Sequence, residues 1–242
     1  MKSSMPSAAR ATLCAAIGLL AAAGQAAAQS VVISNFSFEN ATGYWTANAS
    51  PSSWVTDFGS QLGGLSFNQQ VVGGAGAGLS GYQGNNVLSL NLDPGGSAAS
   101  GTQWLRSVSL GLYQADSLYT LTVAMAKVNA NESRRAIIAL TAGPLANGAG
   151  SVTNTVAFTS VNATNLSAAF ADFTVSLDTS ANPSLVGEPI GVLLEHAATD
   201  GLYGREIYFD NVRLDVLSVP EPSAAALLLA LAPAGLLLRR RG

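Results

Sequence analysis

Tyr119-Thr120-Leu121-Thr122-Val123-Ala124-Met125 sets large apolar side chains at every second position, with small or polar ones between. A strand projects successive side chains to opposite faces, so this period of two marks a strand with one buried face. The same alternation returns in Phe173–Leu177, Leu88–Leu92 and Ile190–Leu194. Shorter apolar stretches at Trp104–Leu110, Ala136–Ala142 and Thr153–Phe158 predict further strands. Near the end, Tyr208, Val212, Leu214 and Val216 share a parity with Asp210, which predicts a single apolar face there. Leu166–Phe170 is the one place where a helical turn is expected. Many short strands with turn-rich connections and no sustained helical period specify an all-β domain, a β-sandwich of jelly-roll type.

The chain ends read differently. Met1-Lys2 through Arg10, the uncharged stretch Ala11–Ala23 and the small residues before Gln29 have the layout of a secretory signal peptide, ending at Ala28. Cys14, the only cysteine, lies inside it, so the exported chain would hold no disulfide. At the other end Val219-Pro220-Glu221-Pro222 precedes the apolar stretch Ala224–Leu238 and then Arg239-Arg240-Arg241. Fifteen apolar residues make a short membrane span, and the arginines would keep that end cytoplasmic. The expected organisation is a signal helix over 1–28, a sandwich over 29–218 and a hydrophobic helical tail over 219–242.

Composition excludes several functions. Between Gln29 and Ser218 there are six basic and thirteen acidic side chains, a net charge of −7. Nucleic-acid binding needs clustered cations and is ruled out. One histidine, His196, and one cysteine leave no Cys–His pair and no His/Cys metal site in the exported chain. The match Gly76-Ala77-Gly78-Leu79-Ser80-Gly81 lacks the following helix that dinucleotide binding requires, so it reads as a loop. No Gly-x-Ser-x-Gly elbow is present, and a strand-end histidine such as His196 is ordinarily hydrogen-bonded rather than catalytic. A carboxylate pair for glycoside hydrolysis could be drawn from the thirteen acids, but no spacing selects one.

Two resemblances sharpen this picture. Val219–Pro222, the apolar stretch and Arg239–Arg241 resemble the PEP-CTERM sorting signal of Gram-negative bacteria. That resemblance implies general secretion, transient anchoring in the inner membrane and cutting by an exosortase. The protein would then be delivered to the cell surface or the extracellular matrix. The opening Asn35-Phe36-Ser37-Phe38-Glu39 and the closing Phe209-Asp210-Asn211-Val212-Arg213-Leu214 resemble the galactose-binding-like jelly rolls of carbohydrate-binding modules.

The second resemblance implies a structural Ca²⁺ held between Glu39 and Asp210; the alternative is that Asp210 and Asn211 satisfy backbone groups at a bulge or turn. Aromatic rings outside the clearest alternating strands, or at their ends, are candidate glycan platforms: Trp54, for which the alternative is the core role usual for Trp in a small β-sandwich, and the glycine-flanked Tyr82 and Tyr203. The expected function is that of a non-catalytic surface or matrix protein associated with exopolysaccharide. A specific carbohydrate-binding module is the alternative, and a glycoside hydrolase a remote one.

Overall fold

The computed structural model describes residues 28–34, 36–39, 43–45, 54–57, 66–93, 101–107, 110–128, 134–143, 154–198 and 205–218. Gln29–Leu217 form one compact unit. Its strands are β1 (Ala28–Val31), β2 (Gly43–Trp45), β3 (Trp54–Asp57), β4 (Ser66–Gly73), β5 (Asn86–Asp93) and β6 (Gly101–Ser107). They continue as β7 (Ser117–Lys127), β8 (Arg134–Ala142), β9 (Thr155–Asn162), β10 (Ala171–Asp178), β11 (Ile190–Ala198) and β12 (Arg205–Ser218). The protein is an all-β sandwich of antiparallel sheets. One sheet runs β10-β7-β12-β5-β4-β2, with β1 added beside β12, and the other runs β3-β6-β11-β8-β9.

The alternating residues fill the space between the sheets. Leu121, Val123 and Met125 of β7 meet Ile138, Leu140, Val192 and Leu194 of β8 and β11, all of them fully buried. Removing apolar area from water in this layer is the main force holding the domain. Two polar devices tie the sheets and loops. Tyr113 packs edge-on against Tyr119, with centroids 4.9 Å apart, and donates its hydroxyl to the Thr141 carbonyl at 3.1 Å. His196, buried in the core, bonds through Nδ1 to the Leu90 carbonyl at 2.8 Å, linking β11 to β5. That bond makes Nδ1 the protonated nitrogen, so Nε2 faces Arg134 Nη1, 3.4 Å away, as an acceptor.

Strand β12 departs from its expected pattern. Ile207 and Phe209 face the core before Asp210, whereas Val212, Leu214 and Val216 face it afterwards. The parity switches at Asn211, whose φ of 48° lies in the left-handed region that Asn tolerates better than most residues. The local conformation turns Tyr208 and Asp210 onto the outer side, so the single apolar face expected for 208–216 is two half-faces. The helical turn is also displaced: a 3₁₀ turn occupies Ala163–Asn165, and Leu166–Phe170 is irregular. Among the described residues no helix is long and apolar enough to cross a membrane. The signal helix, the hydrophobic tail and the sorting residues Val219–Pro222 and Arg239–Arg241 lie outside the described residues.

Candidate functional site

The outer face of the five-stranded sheet carries a buried acid, Glu195. On β11 the odd positions point away from the core: Leu193 packs with Ala139 of β8 rather than with the inter-sheet cluster, and Glu195 follows on the same side. Register places Glu195 opposite Ile137, Leu193 opposite Ala139 and Gly191 opposite Thr141. Glu195 is only 5% exposed, and burial pushes its carboxyl up to about 7. The Arg135 guanidinium, two residues along β8 from Ile137, pulls it back in part. A carboxylic acid tuned to neutrality against an apolar floor is the arrangement that proton-transfer sites use. At one end of the same sheet the hydroxyls of Thr141 and Thr155, paired across a register shift in β8–β9, are buried without a hydrogen-bond partner. Buried orphan hydroxyls are costly unless something bonds to them, which is a reason to look for a ligand there.

A second group of acids sits on the opposite sheet. Glu39 accepts the backbone N–H groups of Asn85 and Asn86 on one oxygen, at 2.9 and 2.8 Å. Asp210, fully buried, accepts Gln83 N–H on Oδ2 at 2.5 Å and Asn211 N–H on Oδ1 at 2.7 Å. Its carboxyl is pushed up to about 6, first by burial and further by the Glu39 charge; the two backbone bonds and Arg213 act the other way. Each acid adjoins a left-handed residue, Phe38 at φ 58° and Asn211 at φ 48°. Strained backbone of this kind persists where the surroundings over-determine it. The geometry therefore includes the bulge and turn capping weighed above. It also brings two carboxylates to one turn, a donor set of hard oxygens that suits a hard cation. No cluster of three or more His, Cys, Asp or Glu suited to a metal occurs among the described residues.

The aromatic candidates separate. Trp54 is 1% exposed, stacks at a 42° tilt on Phe38 with centroids 5.5 Å apart, and donates Nε1–H to the Ser34 carbonyl. Its ring is committed to the core and leaves no face for a sugar. Tyr82 is half-buried, lies against Gly74 and packs with Leu79, Val87 and Tyr208. Tyr203 lies outside the described residues.

Residues 29–215 match the family model of HpiC1-like proteins, described as HpiC1 cyclase. The chain belongs to the HpiC1-like cyclase family. Membership overturns the expectation of a domain that acts without catalysis, because this is a family of cyclases. The expectation failed for a physical reason: a jelly roll hosts binding modules and enzymes alike, so the pattern of strands does not separate the two. A crystal structure of a cyclase from Fischerella sp. TAU superposes with a TM-score of 0.58 at 20% identity, covering 81% of this chain and all of that one. Another, in complex with 4-(1H-indol-3-yl)butan-2-one, gives 0.57 at 21% identity over 80% of this chain and all of that one. These likenesses establish the shared fold. A putative sugar-binding protein from Bacteroides thetaiotaomicron is more distant, at a TM-score of 0.45 and 12% identity over 77% of this chain and 99% of that one. No curated protein matches the sequence.

Proposed function

We propose that this member of the cyclase family is an exported enzyme that uses Glu195 as a proton donor and acceptor on the outer face of its five-stranded sheet. The observation that carries this reading is the burial of Glu195 beside Ile137, Leu193 and Ala139, which brings its carboxyl to about 7. At that value the group is about half protonated near neutral pH, where it can both give and take a proton. Arg135 would stabilise the carboxylate left after donation. The apolar floor favours a neutral, flat small molecule over a charged one. Export and exosortase processing are supported by the residue order at both chain ends, and a structural Ca²⁺ by the convergence of Glu39 and Asp210.

The ligand of the Fischerella cyclase, 4-(1H-indol-3-yl)butan-2-one, supplies a probe. An acid–base group against its carbonyl would accelerate enolisation, read by mass spectrometry as deuterium uptake beside the ketone in heavy water. The protein should accelerate uptake, and Glu195→Gln should lose roughly a hundredfold of that acceleration with its fold intact. Equal acceleration by both proteins would remove Glu195 from the reaction.

A further inference from the structure

The end of the five-stranded sheet away from Glu195 holds a cavity of about 400 Å³, lined among others by Gly143, Asn154, Thr155, Ser184, Leu185 and Glu188. Gly143 follows β8, Asn154 and Thr155 open β9, and the other three belong to the segment around the 3₁₀ turn Pro183–Leu185. Glu195 pairs with Ile137 and Ile190 with Ala142, so the cavity lies five residues along the strands from the Glu195 row, a distance of about 16 Å. Backbone bonds pin its walls: Gly143 N–H to the Pro189 carbonyl at 3.2 Å, Glu188 N–H to the Leu185 carbonyl at 3.0 Å and Tyr113 N–H to the Glu188 carbonyl at 2.9 Å. A cavity held this way is preformed, so little ordering cost falls on binding.

Two polar atoms meet at the bare wall that Gly143 leaves. A Cβ at Gly143 would sit 3.4 Å from Glu188 Oε2 and 3.5 Å from Asn154 Nδ2, so the carboxylate and the amide border the same spot. Its φ of 86° favours glycine there as well. Glu188 is half-buried, and among the described residues its carboxylate has no hydrogen bond or ion pair. An amide nitrogen carries two N–H groups, so Asn154 can donate to a ligand beside the interaction it already makes. Thr155 Oγ1 is buried without a partner, a cost that a ligand hydroxyl can relieve. Leu185 and Val156 add an apolar wall. An ammonium ion would satisfy Glu188 but set its N–H groups against that of Asn154. A hydroxylated ring suits both, because one hydroxyl can donate to the carboxylate while its neighbour accepts from the amide.

We infer that this cavity is a binding site for a small neutral cyclic polyol, whose adjacent hydroxyls are held by Glu188 and Asn154. Saturation-transfer NMR titration of the full-length protein with myo-inositol tests the inference. Cyclohexanol, with a single hydroxyl, and cyclohexylamine, with a positive charge, are the counterparts on the same ring. Expected are saturable binding of myo-inositol, at least fivefold tighter than either counterpart, and at least fivefold loss in Glu188→Ala. Ser184→Trp, which changes an exposed residue and fills the cavity, should abolish binding even if Glu188→Ala fails to fold. Glu195→Gln should leave inositol binding unchanged, which separates this site from the proposed reaction. Comparable binding of cyclohexanol would reduce the site to an apolar cleft, and tighter binding of cyclohexylamine to a cation site; either overturns the inference. So would inositol binding that survives Ser184→Trp, or no saturable binding of inositol.

Discussion

The carboxylate of Glu39 occupies the space that a side chain on Gly84 would need. Gly84 also has a φ of 76°, so the turn needs glycine for conformation as well as for room. Glu39 caps the amides of Asn85 and Asn86 just beyond it, so the turn segment Phe36–Glu39, the glycine turn and β5 are tied by one carboxylate oxygen.

Gly84→Ala should therefore destabilise the domain by about 2–3 kcal/mol, combining backbone strain with displacement of the cap. Gly78 provides the control, because its φ of 72° is similar but nothing lies within 4 Å of an added Cβ. Gly78→Ala should cost only about 1 kcal/mol. Urea unfolding of the two variants separates them, and equal losses would show that Glu39 does not occupy the turn.

The proposed Ca²⁺ between Glu39 and Asp210 makes stability depend on free calcium, because an ion bound only by the folded state stabilises it by mass action. Differential scanning calorimetry should show the melting temperature falling by several degrees when a chelator is added, and recovering with excess calcium. Glu39→Gln should remove most of that response. An unchanged melting temperature would take the ion out of the account.

Trp54→Ala should behave as a core deletion, costing about 3–5 kcal/mol, because the ring is buried against Phe38 and hydrogen-bonded to Ser34. Trp54→Phe, which keeps an aromatic ring in the site, should lose less. A Trp54→Ala variant of native stability, measured by chemical denaturation, would contradict the packing described.

The legible parts of this molecule were those where one physical rule dominates. Alternation in β7, β10 and β11 marks burial of one face, and the strands stand there. Strand β4 was not legible, because Asn68, Gln69 and Gln70 interrupt any apolar period and its pairing with β5 is decided by tertiary neighbours. The parity switch at Asn211 was hidden too, since a single left-handed residue leaves no compositional trace. Glu39 and Asp210 were singled out by resemblance, and the fold brings them to one turn. Glu195 was passed over because a carboxyl's pKa depends on burial, and strand pairing, not local sequence, seats it beside Ile137.

Glu195 also sets a pH dependence. Its folded pKa of about 7 lies above the ordinary value of 4.5, so the folded state binds the extra proton between those limits. Stability is then greatest below about pH 4.5 with respect to this group, falls as pH rises, and levels off above about 7. The full penalty is about 3 kcal/mol. Glu195→Gln should flatten that slope and raise stability at pH 8 while weakening catalysis, the usual opposition at a functional acid. Thermal melts of both proteins from pH 4 to pH 8 measure it, and parallel curves would refute the linkage.

The most direct test of the central claim is the titration of Glu195 itself. Carbon-detected NMR of the side-chain carboxyl, assigned by loss of its signal in Glu195→Gln, gives the midpoint without any assumed substrate. The account predicts a midpoint near 7, well above the other glutamates. A midpoint near 4.5 would mean that the carboxyl is solvated, and would contradict a proton-transfer site on the outer face of the five-stranded sheet.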